Sequence, residues 1–570
     1  MTGETTARQP LRLWPGWVIV ALQWLAKLVL PLFGSVANAI GAMSGLLLGL
    51  FFVVWWVFFS RAPRLERWGG VALIAFALIG TRLLVDRSIA TAGMGMSYYI
   101  VTTPIACLAI MIWAVAARRL PDGPRRLALL ATILVAYGGW TLLRLDGITS
   151  NGATDYAWRW AQTHEQRLLS QTGDEPTPHA LPASTETSVE WPGFRGPDRN
   201  GIARGTRIET DWAAAPPEEL WRRPIGPGWS SFAIHGDRFY TQEQRGEEEV
   251  VSCHVVSTGE LVWRHGDAVR FWDSHAGAGP RATPALANGH VYSFGATGVL
   301  NALDAENGTL AWSRDVATDT EREIPGWGFT SSPLIVDNLV VVHTGRLAAY
   351  DLDSGEPRWL GPRRGGSYSS PHLATIDDVE QVVMISGAGA TGVSITDGAV
   401  LWELPWGGSI VQPAQTADGD VLIAGAGLAG GAGLRRVSVR HGSDGWDMEE
   451  RWTSLGLKPN MSDFVIHEGH AYGFDDQGIA CIDLDDGERR WKGGRYGSGQ
   501  LVLLPDQDLL LVVSERGELA LLEATPERFK ELSRHPAIKG KTWTHPVRVG
   551  DTVLVRNAEE MAAFRLPEPR

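Results

Sequence analysis

Only three cysteines, Cys107, Cys253 and Cys481, occur in 570 residues. So few thiols exclude a disulfide framework and a cysteine-rich metal site. The chain has no C-x-x-C-H, so no c-type haem is attached, and it has no adjacent Cys-Cys pair. It also lacks G-x-S-x-G and H-E-x-x-H, which leaves no hydrolase elbow or zinc-protease helix. Positive charge is scarce where the chain is longest: residues 146–570 hold 38 Lys/Arg against 60 Asp/Glu, a balance of −22. Residues 1–145 hold 13 against 4, a balance of +9, and the two parts sum to −13. An acidic surplus of that size argues against nucleic acid or anionic lipid as a partner of the larger part.

What is present falls into two kinds. In residues 1–145, five apolar stretches read as spans: Trp14–Phe33, Ala39–Phe59, Gly69–Val85, Tyr98–Ala117 and Leu127–Leu145. Each is near the length that crosses a ~30 Å hydrocarbon core. The basic loops hold Arg8 and Arg12, then Arg61, Arg64 and Arg67, then Arg118, Arg119, Arg125 and Arg126. By the positive-inside rule these lie on the cytoplasmic side, and an odd number of spans sends the rest of the chain across. Lys27 and Arg82 read as snorkelling or packed cations, so the spans read as an anchor. Residues 146–190 read as a juxtamembrane helix over 152–171 followed by a Pro/Thr/Ser/Glu-rich tether, 172–190.

The second kind is a repeated phrase. Gly298–Trp312 (GVLNALDAENGTLAW) returns as Gly345–Trp359 and Gly478–Trp491, with weaker copies at Cys253–Trp263 and Gly392–Trp402. In all five a Trp follows the turn glycine by four residues: Gly259/Trp263, Gly308/Trp312, Gly355/Trp359, Gly398/Trp402 and Gly487/Trp491. The alternation before the turn reads as a strand, and Asn307-Gly308 reads as a two-residue hairpin turn with positive φ at both positions. Outer-strand markers at Trp263, Trp312, Trp359, Trp402, Trp452, Trp491 and Phe529 lie 38–50 residues apart, the length of a four-stranded propeller blade. An eighth blade begins at Lys541–Leu566 without its outer strand, which Glu219–Gly226, carrying Trp221, supplies from the other end. The fold expected is therefore an all-β propeller of eight blades over 191–570, preceded by an α-helical transmembrane domain. Cys253 and Cys481 fall in the same small-residue register as Ala302, Ala349 and Gly392, in blades too far apart for a bond.

The phrase G-x-L-x-A-x-D-x-x-x-G-x-x-x-W resembles the repeat of pyrroloquinoline-quinone (PQQ) enzymes. That family holds quinoprotein alcohol and glucose dehydrogenases, and non-enzymatic relatives such as the propeller lipoprotein BamB of the outer-membrane barrel-assembly machinery. The resemblance covers residues 191–566 and implies the fold more than an activity, since the motif stabilises blades. For an enzyme of this family it implies PQQ with Ca²⁺ and an Asp base.

Candidate site residues come from the starts of the innermost strands, where small hydroxyl residues followed by Pro recur. Arg281, Asp463, Trp543 and His545 project there, and nearby loops add Trp327, Arg495 and Lys541. Arginine forks and broad aromatic faces around one pore suit a flat polyanion such as PQQ. Strand-start polar residues that hydrogen-bond each other are the plainer interpretation. The acids are few, Glu243 and Asp463, and no catalytic set assembles from them. Arg195 is expected to pair locally with Asp198. The function expected is a binding or scaffolding module, anchored in a bacterial inner membrane by its spans. Its periplasmic propeller face would meet an envelope protein or a small ligand. The alternative is a membrane-bound PQQ-dependent alcohol or sugar dehydrogenase passing electrons to quinone.

Overall fold

In a computed structural model of the chain, residues 11–33, 35–150, 152–171, 191–205, 207–407, 410–425 and 433–569 are described. The tether expected over 172–190 lies outside them. Met1–Ala161 and Gln162–Arg570 form two compact units.

In the first unit, helices α1 (Trp14–Val29), α2 (Ser35–Phe58), α3 (Arg64–Leu84), α4 (Arg87–Thr91), α5 (Ser97–Ala116) and α6 (Asp122–Gly138) follow one another. Glycines at four-residue spacing let α2 touch its neighbours: a Cβ on Gly49 would lie 2.4 Å from Thr103 of α5, and one on Gly41 2.9 Å from the Ala26 carbonyl of α1. A buried ion pair at 3.0 Å, Glu66 with Arg125, joins α3 to α6, and Trp113 Nε1 donates to the Arg125 carbonyl. Arg82 donates to the Ala90 carbonyl and Lys27 lies over the Trp24 ring, the packed roles expected of them.

Among the described residues, four helices are long and apolar enough to cross a membrane: Trp14–Leu32, Ala37–Phe58, Arg64–Leu84 and Ser97–Arg119. The fifth expected stretch, Leu127–Leu145, is not one helix. α6 has 17 residues, about 26 Å at 1.5 Å per residue and short of the ~30 Å hydrocarbon core. It takes in charged Asp122, Arg125 and Arg126 and stops at Gly138, after which Leu143–Ile148 (β1) pairs with Thr154–Trp158 (β2) in a hairpin. The helix expected over 152–171 is likewise only its second half, α7 (His164–Gln171). α7 belongs to the second unit, where Glu165 forms a two-point ion pair with Arg270 at 2.7 and 2.8 Å and accepts from the Gly246 amide.

The second unit is the eight-bladed propeller, each blade a four-stranded antiparallel sheet. Blade 1 runs Ala233–His235, Arg238–Arg245, Glu248–Val255 and Leu261–Asp267 from innermost to outermost strand. The innermost strands of blades 2 to 7 are Ala285–Ala287, Leu334–Val336, His372–Ile376, Ala414–Gln415, Phe464–His467 and Gln500–Leu504. Blade 8 runs Val547–Val549, Thr552–Arg556 and Glu560–Arg565, and its outermost strand is Glu218–Pro224 from the start of the unit. Trp221 pairs with Ala563 and Glu219 with Phe564, so the ring closes as the sequence implies and its two edges are removed. Arg556 of blade 8, fully buried, reaches into blade 1 and donates to Thr241 Oγ1 at 2.6 Å and to the Gln242 carbonyl at 2.9 Å.

The turn glycine and its tryptophan act between blades, not within one. Trp221, Trp263, Trp312 and Trp359 each lie beneath the turn glycine of the following blade, where a Cβ on Gly259, Gly308, Gly355 or Gly398 would come within 2.4–2.6 Å of the ring. Each of these indoles also donates to a carbonyl of that next turn: Val256, Ala305, Leu352 and Ile395, at 2.7–3.0 Å. Within a blade, the residue opposite the tryptophan is the small one, as in Cys253↔Trp263, Ala302↔Trp312, Ala349↔Trp359, Gly392↔Trp402 and Cys481↔Trp491. Burial pushes both thiols up to about 12, so they are packing groups.

Two details differ from expectation. Gly308 has φ +73°, but Asn307 is not in the positive-φ region. The turn is instead held by Asp304, whose Oδ1 accepts from the amides of Glu306 and Asn307, and its carbonyl accepts from Gly308. This explains the aspartate in the repeated phrase. Phe529 is not the outer-strand marker of blade 7: Ser533 occupies that position, opposite Leu521, and Phe529 packs on Trp491.

The clasp can be separated from the turn. Gly355→Ala meets both a positive φ and the Trp312 ring, whereas Gly289→Ala meets a positive φ of 73° with nothing within 4 Å. Thermal and urea melts of the purified chain should show G355A less stable than G289A by about 1–3 kcal/mol. Equal losses would mean that the ring contact contributes nothing.

Candidate functional site

One residue per blade, at the start of the innermost strand, forms a belt around the propeller axis: Ser231, Thr283, Ser332, Ser370, Gln412, Asp463, Gln500 and His545. The Ser231 amide donates to Thr283 Oγ1 at 3.1 Å, that of Thr283 to Ser332 Oγ at 3.0 Å, and that of Ser332 to Ser370 Oγ at 2.8 Å. The Gln412 amide N–H donates to Asp463 Oδ1 at 3.0 Å and that of Asp463 to Gln500 Oε1 at 3.3 Å. With its carboxamide turned to satisfy both partners, Gln412 also spans to the Ser370 backbone at 2.8 Å. Ser231 Oγ donates to the His545 carbonyl at 2.7 Å. The recurring hydroxyl-Pro pattern is thus a set of side chains that each satisfy a neighbouring blade's backbone.

Past the belt, the axis is filled by the chain's own segment from Trp191 to Ala203. It crosses one innermost strand after another. Trp191 bridges to Ile234, Pro192 accepts from the Leu286 amide, and Gly201 accepts from the Leu503 amide. Arg199 donates to the carbonyls of Pro333 and Ser332 at 2.8 and 3.1 Å, and Arg195 donates to that of Phe464 at 2.7 Å. Phe194 meets the His545 ring edge-on. Arg195 does not pair with Asp198; it lies 3.6 Å from Asp463. Both arginines take positive φ, 62° and 53°, a backbone state that sequence composition does not advertise for arginine.

Asp463 is the hub of this buried group. His545 Nε2 lies 3.1 Å from its other oxygen. Burial works to raise its carboxyl, but Arg195, His545 and the Gln412 amide prevail and hold it down to about 2. His372, on blade 4, is driven down to about 3 by burial and then by Arg199 and Arg195. Arg199 and His372 are residues that the sequence did not single out, and Arg195 was expected only as a local partner of Asp198. Their only signal was two arginines inside a Gly/Pro-rich turn run.

The remaining candidates gather on the loops that lead into the innermost strands. Arg281 pairs with Asp273 at 2.6 Å, donates to three nearby carbonyls, and lies against Phe271. Asp273 accepts from the His275 amide, and Lys541 donates to the His275 carbonyl at 2.7 Å. The Lys541 ammonium lies 4.2 Å from the Trp543 ring and 5.1 Å from that of Trp229. Trp543 Nε1 donates to Glu515 at 2.8 Å. Trp327, 40% exposed, packs at a tilt against Tyr368 and approaches His275. Four of the seven candidates, Arg281, Trp327, Lys541 and Trp543, therefore share one aromatic mouth. Asp463 and His545 sit together in the belt, and Arg495 stands apart and exposed.

These residues do not fit PQQ with Ca²⁺. The acids of the belt and mouth are each engaged: Asp463 with Arg195 and His545, Asp273 with Arg281, and Glu515 with Trp543. Glu243 pairs with Arg245 at 2.8 Å, and Lys492 with Asp475 at 2.8 Å. Ca²⁺ needs six or more oxygen ligands. Among the described residues, the group of His, Cys, Asp and Glu spaced for a metal is His467, Glu468 and Asp508, which lies at the far ends of the strands, away from the belt.

Residues 247–493 and 393–528 match the family described as outer membrane protein assembly factor BamB. BamB of Yersinia pestis is 23% identical over 300 residues, 48% of this chain and 70% of that protein. Quinohemoprotein alcohol dehydrogenase ADH-IIG of Pseudomonas putida is 30% identical over 125 residues, 20% of this chain and 17% of the enzyme. The crystal structure of BamB from Moraxella catarrhalis aligns with a TM-score of 0.45 at 16% identity, over 62% of this chain and 99% of that one. The propeller of this chain is thus similar both to BamB proteins and to a quinohemoprotein alcohol dehydrogenase, and residues 247–528 carry the match to the BamB family.

The buried histidine gives the plug a pH signature. Unfolded His372 takes up a proton below about pH 6.5, whereas the folded residue does so only near 3. Between those values the unfolded chain binds more protons, so stability falls as pH drops through that window, at up to about 1.4 kcal/mol per unit from this residue. Chemical-denaturation series between pH 6 and 4 should show a shallower decline for His372→Gln. An unchanged slope would show that His372 is already protonated in the folded protein.

Proposed function

We propose that this protein is a membrane-anchored binding and scaffolding module whose propeller face engages a protein partner or a small ligand of the bacterial envelope. The observation that carries this reading is the plug: the Trp191–Ala203 segment crosses the innermost strands, with Arg195 and Arg199 bonded to their carbonyls. The similarity to proteins named as outer membrane protein assembly factors supports it, and so does the pairing of the acids at the mouth.

In the proposed arrangement residues 1–145 hold the bilayer of an inner membrane, 146–190 connect, and 191–570 are presented in the periplasm. That orientation takes α6 as a fifth, short crossing, with the arginine-rich loops on the cytoplasmic side. Its test is alkaline carbonate extraction together with thiol labelling of single cysteines placed at the exposed positions Arg119 and Ser443 in intact cells. Labelling at 443 by an impermeant reagent, with none at 119, is expected; the reverse pattern reverses the topology.

The competing reading is a PQQ-dependent dehydrogenase. Optical titration of the full chain with PQQ and Ca²⁺, followed by a dye-linked alcohol and sugar assay, should show no saturable uptake at micromolar PQQ and no turnover. Uptake with turnover would overturn the scaffold.

A further inference from the structure

The exposed tryptophans of the first unit fall at two levels. Trp14 and Trp17 open α1 and Trp68 lies near the start of α3, at the end where the Arg12 amide bonds the Ser60 carbonyl. Trp158 and Trp160 lie at the opposite end, on β2 and just after it. The other tryptophans of this unit are buried or half-buried. With 21 residues, α3 runs about 32 Å, so its two ends fall at the two faces of a ~30 Å hydrocarbon core.

The β1–β2 hairpin is fastened to the second of these ends. The Leu145 amide donates to Ser88 Oγ of α4 at 2.9 Å. The Arg159 guanidinium donates to the carbonyl of Leu84, the last residue of α3, at 3.1 Å and lies 3.5 Å from Asp86. Leu145 shares a small core with Val85, Ile89, Tyr98 and Trp140, and Trp140 meets Tyr156 edge-on. Outside that core Trp158 and Trp160 stack on each other, centroids 5.0 Å apart and planes at 13°, yet they are 53% and 68% exposed. Neither indole N–H has an acceptor among the described residues. Leu84 and Leu142, whose carbonyls accept from the Arg159 side chain and amide, are exposed as well. The apolar surface of the helices therefore continues without a break onto the base of the hairpin.

We propose that the β1–β2 hairpin is an interfacial element, with the Trp158–Trp160 pair seated among the lipid headgroups of the leaflet in which α3 ends. This rests on the reading of the apolar helices as membrane spans and adds a lipid contact to the segment that follows them. An indole has an apolar body and one N–H donor, and it suits the layer where hydrocarbon gives way to ester and phosphate oxygens. Asp86 already balances Arg159, so the contact draws on the rings and their N–H groups and needs no anionic lipid. The hairpin then fixes the height at which the chain leaves the bilayer.

The test uses the full chain in phosphatidylcholine nanodiscs, with an environment-sensitive fluorophore on one introduced cysteine; the three native cysteines are buried. On Trp160→Cys, with Trp158 retained, the label should lose most of its fluorescence to lipid bearing a nitroxide on the headgroup. It should lose less to a nitroxide at the acyl-chain end, and hardly any to aqueous iodide. Phe76→Cys, exposed midway along α3, should show the opposite order between the two lipids, and Ser443→Cys, exposed on the propeller, sets the iodide scale. A label at 160 quenched by iodide and by neither lipid, while that at 76 is quenched from the acyl chain, would overturn the interfacial seat and leave the spans standing. Shielding of 160 from all three quenchers would overturn it in favour of a protein cover. A label at 76 open to iodide would remove the spans, and the hairpin contact with them. Trp158→Cys, with Trp160 retained, carries the test if W160C does not insert.

Discussion

The propeller rests on the absence of one atom. An indole ring lies under a turn of the next blade at a spacing that leaves no room for a Cβ. Glycine at that position therefore serves twice, giving the turn its positive φ and giving the ring its seat. The indole N–H then bonds a carbonyl of the same turn, so each clasp joins apolar burial to a satisfied backbone group. Repeated at successive junctions, it lets one blade gauge the next, and closure follows when Trp221 supplies the same contact to Gly259 from the outermost strand of blade 8. The junction of blades 4 and 5 departs from the rule: Trp402 of blade 4 donates instead to Gln381 of its own blade.

Along the axis a different economy holds. Eight innermost strands converge where there is little room, and their starting backbone groups must be satisfied without water. Hydroxyl, carboxamide and carboxylate side chains do this for the neighbouring blade. Arg195 and Arg199 then reach the carbonyls that remain. Fully buried guanidiniums are costly to desolvate, which is why the segment brings Asp463 into ion-pair range and why the carbonyl bonds are short. The satisfaction is not complete: Arg195 Nε, Arg199 Nε and His372 Nδ1 are buried without a hydrogen-bond partner among the described residues.

Much of this was legible. Blade number, closure by the Trp221 strand and the register of Cys253 against Trp263 all follow from local spacing, because a hairpin and the residue facing it are set within some fifteen positions. The turn was partly misread. Asn-Gly suggested two positive φ values, but Asp304 caps the amides and only glycine needs that region. Phe529 looked like a marker because aromatic character was taken for position; the bulge register, which no spacing count can see, gives the place to Ser533. In the first unit, hydropathy found the helices but overran α6, since Gly138 and Gly139 end it before the apolar run does.

The site was legible only in part. The residue types lining the mouth were named, yet their partners were not. Asp273 for Arg281, Glu515 for Trp543 and Arg195 for Asp463 lie 8, 28 and 268 residues away in sequence, in loops whose approach depends on the ring being closed. By itself the sequence determined the repeat, the count of blades, the strand that shuts them and the presence of long apolar helices. These are consequences of period and of residues that act on near neighbours. Tertiary structure alone decided what stands on the axis and which buried donors stay open. Those outcomes depend on where the ends of different blades meet, and burial then sets the cost of every charge left there.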